Sequence, residues 1–252
     1  MTKRSAALLG FLSAMIATTV VASTTEASAT LLITDNWRYT TSNTSSTSDA
    51  SASYSPLTFT NLVAPDGLSG ETSATAQGTA TAFEDLLGGN SASVDLEFTF
   101  QFSVNKSKPL FIVLLADQLT GSLSLQDTES DPGGASYFSN ATLVRTNTNA
   151  VVASLPSRVG LRRAEGTSTV NESVLFGSNV FSIPNGDYSL TGTLNLDAVA
   201  TAGVGDDRVQ SSFKYQVKMR WVEVPAPPTV LLLLAGLAAL PFCAGRARWR
   251  AA

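Results

Sequence analysis

From Val94 to Val104 the chain alternates without a break. Val94, Leu96, Phe98, Phe100, Phe102 and Val104 are apolar, with Asp95, Glu97, Thr99, Gln101 and Ser103 between them. Successive side chains of a strand point to opposite faces, so this pattern predicts a strand with one buried face. Val209–Trp221 reads the same way, with Val209, Ser211, Phe213, Tyr215, Val217, Met219 and Trp221 on one side. In Tyr188–Ala198 the shared face is Tyr188, Leu190, Gly192, Leu194, Leu196 and Ala198. Leu119, Gly121, Leu123 and Leu125 mark a fourth such strand. Leu110–Leu115 is continuously apolar after Pro109, which predicts a strand buried on both faces. Further strands are expected near Leu31–Tyr39, Thr72–Phe83, Ser136–Thr146, Val151–Leu155 and Ser168–Phe176.

Turn chemistry separates these segments. Asp131-Pro132-Gly133-Gly134, Pro184-Asn185-Gly186-Asp187 and Gly203-Val204-Gly205-Asp206 supply the residues that tight turns need. Many strands, short turns and almost no helical period predict an all-β fold, an antiparallel β-sandwich of jelly-roll or Greek-key type over residues 30–223. Ile183-Pro184-Asn185-Gly186-Asp187-Tyr188 resembles the tyrosine corner of Greek-key sandwiches; the alternative is that Tyr188 is simply the first inward residue of its strand. Thr40–Ser55 is different. Eleven of its sixteen residues are Ser or Thr, so it reads as a solvated loop or a weak edge strand.

The two ends do not follow the strand pattern. Lys3 and Arg4 precede the largely apolar stretch Ala6–Val21, and Ala27-Ser28-Ala29 follows with small residues at the spacing of a cleavage site. This predicts a secretory signal peptide over residues 1–29, cut after Ala29. At the other end, Val230–Ala244 is apolar throughout and Arg246, Arg248 and Arg250 follow it. As a helix those fifteen residues reach only about 22 Å, a short span for a hydrocarbon core of about 30 Å. The arginines place that end in the cytoplasm and the preceding domain outside.

Val224-Pro225-Ala226-Pro227, the apolar stretch and the terminal arginines, in that order, resemble the PEP-CTERM family of C-terminal sorting signals and its VPLPA-type variants. Alanine stands where the usual Val-Pro-Glu-Pro motif has glutamate. The resemblance covers residues 224–252 alone. It implies an exosortase-type membrane protease as partner. It also implies transient anchoring in the inner membrane, then transfer to the cell surface, the medium or extracellular polysaccharide.

Composition narrows the chemistry. The 252 residues include no histidine, and Cys243 is the single cysteine. Catalytic systems built on Ser-His-Asp or Cys-His, His-ligated metals and internal disulfides are therefore excluded. Between the two ends lie 11 basic and 19 acidic residues, a net charge of −8, which is unsuited to a nucleic-acid backbone. Asp127, Glu129 and Asp131 alternate before a tight turn and are candidate calcium ligands; a polar hairpin loop is the alternative. Asp95 and Glu97 share a strand face as glycosidase carboxylates do, but no third acid extends the row, and they read as solvated charges. Ser103-Val104-Asn105-Lys106 spells S-x-x-K at a strand end rather than a helix start, and reads as chance.

The expectation is an exported, non-enzymatic surface or matrix protein with a structural or adhesive role. The alternative is a carbohydrate-binding module or weak polysaccharide-active enzyme. Trp37 and Tyr39, same-face neighbours in a strand, are its one candidate stacking platform.

Overall fold

The structure, a computed structural model, describes residues 30–64, 69–83, 89–105, 111–126, 133–176, 179–201 and 208–223. Along the chain the first strands are β1 (Thr30–Ile33), β2 (Arg38–Ser46), β3 (Ala50–Tyr54), β4 (Thr58–Val63), β5 (Ser69–Phe83), β6 (Asn90–Asn105) and β7 (Phe111–Gln126). They are followed by β8 (Gly134–Arg145), β9 (Ala150–Ser154), β10 (Arg158–Arg162), β11 (Gly166–Val174), β12 (Val180–Ile183), β13 (Gly186–Ala200) and β14 (Arg208–Glu223).

Two seven-stranded sheets face each other, and every pairing between their strands is antiparallel. Both have the same plan. In the first sheet the long strands β6, β13 and β8 lie side by side. Its margins are split in two: β1 and β2 share the free side of β6, and β9 and β10 share that of β8. In the second sheet the long strands are β7, β14 and β5. There β11 and β12 flank β7, and β3 and β4 flank β5. From β5 to β8 every connection crosses from one sheet to the other. The chain crosses again from β10 to β11, from β12 to β13 and from β13 to β14. The resulting orders, β6-β13-β8 with β9/β10 and β5-β14-β7 with β11/β12, are those of a jelly roll.

The alternation expected from sequence sets the core. The inward residues Val94, Leu96, Phe98, Phe100, Phe102 and Val104 of β6 are all buried, and so are their apolar counterparts on β13 and β14. Opposite the bulky row of β6, β5 offers Ala74, Ala76, Ala80 and Ala82, so large side chains of one sheet meet small ones of the other. Rings run along the interior: Trp37 stacks on Phe100 at 5.3 Å, and Phe102 on Tyr188 at 5.5 Å. Inward glycines stand opposite aromatics in register, Gly192 facing Phe98 and Gly121 facing Phe213. A Cβ on Gly192 would run into the Phe98 ring, which occupies the space a side chain would need. Tyr188 is both an inward residue and a tyrosine corner, its hydroxyl donating to the Pro184 carbonyl at 2.8 Å.

Several expectations need correction. The apolar run before Leu115 and the alternation after Leu119 belong to one strand, β7. It is not buried on both faces in its first half: Val113 and Leu115 are buried, while Ile112 and Leu114 face outward and are only half-buried. The single strand expected over Leu31–Tyr39 is broken into β1 and β2, with Trp37 in the break. Thr40–Ser55 takes its edge-strand form twice, as most of β2 on the first sheet and β3 on the second. The short marginal strands β4, β10 and β12 are additions to the expected set. Among the described residues no helix is long and apolar enough to cross a membrane. The expected signal segment 1–29 and tail 224–252 lie outside the described residues, apart from the predicted cleavage point's far side at Thr30.

Candidate functional site

The most chemically loaded point of the interior lies where β10 of the first sheet approaches β7 and β11 of the second. Asp117 is an inward residue of β7, between Val113–Leu115 and Leu119, and its side chain is fully buried. A lone carboxylate there would be strongly destabilising. Arg158, the first residue of β10, crosses the gap and donates to both oxygens of Asp117 at 2.7 Å, a bidentate pair. The Tyr215 hydroxyl donates to Asp117 Oδ2 at 3.0 Å, and Arg158 Nε meets Glu172 of β11 at 3.0 Å. The Asp117 hydrogen bond holds the Arg158 pKa above its ordinary value, against the opposing effect of burial. Burial, and after it Asp117, pushes the Tyr215 phenol well up. Every strong group of the cluster is partnered within it. It has the form of a latch between the sheets rather than of a reaction centre. Asp117 does carry a local signal, an acid on the period-two face of Leu115, Leu119, Leu123 and Leu125, whereas Arg158 opens a five-residue strand that carries no motif.

The outer faces of the two sheets carry charges of opposite sign. On the first sheet, register places Asn43, Asp95, Asn195, Phe138 and Val159 in one outward row across five strands. Glu97 lies in the next row on one side, and Asp197 in the next row on the other. Asp95 and Asp197 are diagonal neighbours on β6 and β13. Partial burial, and after it the charge of Asp197, raises the Asp95 pKa. Glu97 accepts a hydrogen bond from Thr40, Asp197 from Ser136 and Asp187 from Ser103. Among the described residues no cation lies within ion-pair distance of Asp95, Glu97 or Asp197. Arg38, at the margin, is paired with Asp35 at 2.8 Å.

On the second sheet the outward residues of β14 are Arg208, Gln210, Ser212, Lys214, Gln216, Lys218 and Arg220. Arg220 pairs with Glu71 at 2.7 Å, and Arg208 lies over the Phe83 ring. Around Lys214 stand uncharged hydroxyl and amide side chains, Gln77 and Thr120 among them; Lys218 lies between Ser73 and Ala116, with Glu71, already paired with Arg220, on its diagonal.

The residues singled out from sequence are dispersed. Trp37 is buried, stacked on Phe100, and its indole N–H donates to Thr72 at 2.6 Å. Tyr39 is half-buried against Tyr54, and its hydroxyl donates to the Ser55 carbonyl at 3.0 Å. The expected stacking platform does not form: Trp37 and Tyr39 share a face, but it is the core face, on which Trp37 is buried and Tyr39 packs half-buried. Asp95 and Glu97 do face outward, as expected. Ser103 faces outward and donates to Asp187 at 2.5 Å. Asp127, Glu129 and Asp131 lie outside the described residues, as do Ala27, Ala29, Val224, Pro225, Ala226, Pro227, Arg246, Arg248 and Arg250.

No protein-family model matches the chain, and no curated protein matches it. Among solved structures, the CBM22-1 xylan-binding domain of Xyn10C from Paenibacillus barcinonensis is 12% identical. The match covers 77% of this chain and 94% of that one, with a TM-score of 0.17. A structure of infectious bursal disease virus, Gx strain, is 9% identical over 69% of this chain and 44% of that one, with a TM-score of 0.16. At these TM-scores neither likeness carries an argument about function.

Proposed function

We propose that the chain is an exported bacterial surface or extracellular-matrix protein with a structural or adhesive role, held for a time in the inner membrane by its C-terminal segment. The observation that carries this reading is the division of labour in the sandwich. Among the described residues, the buried charge cluster is closed on itself and the inward rings are spent on packing. What the described domain presents to its surroundings is two broad polar sheet faces, the form of a module that makes contacts rather than one that encloses a substrate. The order of Val224-Pro225-Ala226-Pro227, the apolar stretch 230–244 and Arg246, Arg248 and Arg250 supports export with a sorting tail read by an exosortase-type protease.

The test is fractionation of the native host with an antibody against the sandwich. Changing Pro225 and Pro227 together leaves membrane insertion intact and stops release. If that variant reaches the surface or medium at the normal mature mass, the sorting-signal reading is wrong.

A further inference from the structure

The two outer faces are unlike in charge, and both sets of charges sit near the middle of their sheets. Asp95, Glu97 and Asp197 lie on β6 and β13, two of the three central strands of the first sheet. Lys214 and Lys218 lie on β14, the central strand of the second. Among the described residues neither set has an ion-pair partner of opposite sign. Each face also carries exposed apolar side chains toward its edges: Val159, Leu161 and Val199 on the first sheet, Leu62, Val180 and Val222 on the second.

We propose that the acidic outer face of the first sheet docks on the basic outer face of the second sheet of another copy of this chain. The contact joins different surfaces of the two copies, so each copy keeps one free face of each sign. Such a head-to-tail contact propagates into an open stack unless its rotation closes a ring. Face-to-face contacts between like sheets are opposed by like charge. Partial burial and Asp197 already work against the charge on Asp95, and a lysine from a neighbouring copy relieves that crowding. Exposed ion pairs are individually weak and screened by salt. The stack therefore depends on a high local concentration, which a population anchored in one membrane supplies. In this respect the inference rests on the export reading.

The test is sedimentation of the full chain in detergent, at about 20 mM and about 500 mM salt. Two variants accompany it: Asp95→Lys with Asp197→Lys, and Lys214→Glu with Lys218→Glu. The unaltered chain associates with rising concentration at low salt, and association weakens by about tenfold or more at high salt. Each variant alone carries like charges on both faces and stays monomeric. A mixture of the two variants associates again, because the unaltered basic face of one meets the unaltered acidic face of the other, and the two altered faces meet with their signs reversed. Far-UV circular dichroism checks that both variants are folded. If the acidic-face variant is not, Asp95→Asn with Asp197→Asn replaces it, and if the basic-face variant is not, Lys214→Gln with Lys218→Gln replaces it; either weakens association of the chain bearing it.

A chain that stays monomeric at low salt overturns the proposal. So does association that ignores salt, a mixture that fails to associate, or association that appears only when a neutral polysaccharide such as dextran is added. None of these results touches the fractionation test. A failure of fractionation, in turn, leaves the sedimentation result standing.

Discussion

In the long strands β5, β6, β7, β8, β13 and β14, inward residues are buried nearly without exception, and most of the polar residues between them face out. The margins of the two sheets behave differently. There exposed apolar side chains are common: Val159 and Leu161 on β10, Val151 on β9, Leu62 on β4 and Val180 on β12. β2 carries mostly Ser and Thr, and β3 alternates Ala with Ser. A central strand is covered by the opposite sheet along much of its length, so burial enforces its alternation. A marginal strand is held chiefly by its backbone ladder to one neighbour, which accepts almost any side chain. Leu31, Ala153 and Ile183 are the marginal apolar residues that reach the core, and Arg158 is the charged residue buried with them.

Substitutions sharpen this contrast. Phe100→Ala, in the centre, lowers stability by about 3–5 kcal/mol through lost burial and a cavity. Arg158→Met, at the margin, also costs about 3–5 kcal/mol, because it leaves Asp117 buried without its charge partner. Adding Asp117→Leu to Arg158→Met restores much of the loss, since an apolar pair replaces an ionic one. Denaturant midpoints measure all three. A small effect of Arg158→Met would place that residue with the rest of the margin.

Gly192→Ala forces a methyl group against the Phe98 ring and costs about 1–3 kcal/mol by overpacking. Thr44→Ala, on β2, changes stability by less than about 0.5 kcal/mol. A loss at Thr44 as large as at Gly192 would break the distinction between centre and margin.

The tyrosines give a pH test. Burial, and after it Tyr54, raises the Tyr39 pKa from 10.0 to about 12. Burial also raises Tyr137, Tyr188 and Tyr215. A raised phenol pKa means that the unfolded chain gives up its proton first. The stabilisation is present in full below the ordinary value of 10.0 and is lost as pH rises from there through the folded values. Stability therefore falls across the alkaline range, and ultraviolet difference absorbance sees these phenols ionise late or together with unfolding. Tyr39→Phe removes one contribution and flattens the fall between 10.0 and about 12.

Much of the centre was legible in the chain. The strict alternations of β6, β13 and β14 and the interruption by turn residues were enough to predict an antiparallel sandwich, and Pro184–Tyr188 was enough to raise the tyrosine corner. The margins were harder. β4, β10 and β12 are four to six residues long and carry no period that burial would impose. A period-two count puts Trp37 and Tyr39 on one side with Leu31 and Ile33, and only the pairing with β6 shows that this side faces the core. Asp117 and Arg158 are 41 residues apart, and nothing local to either announces the other.

Sequence alone determined the fold class, the inward faces of β6, β13 and β14 and the residue types that the chain lacks, because each of these follows from local period or from composition. Tertiary structure decided which strands are neighbours, that Asp117 is tolerable, that Trp37 belongs to the core, and that the two outer faces differ in sign. Those depend on pairing between distant segments, and the free energy of a buried charge or a ring is set by what packs against it rather than by what precedes it in the chain.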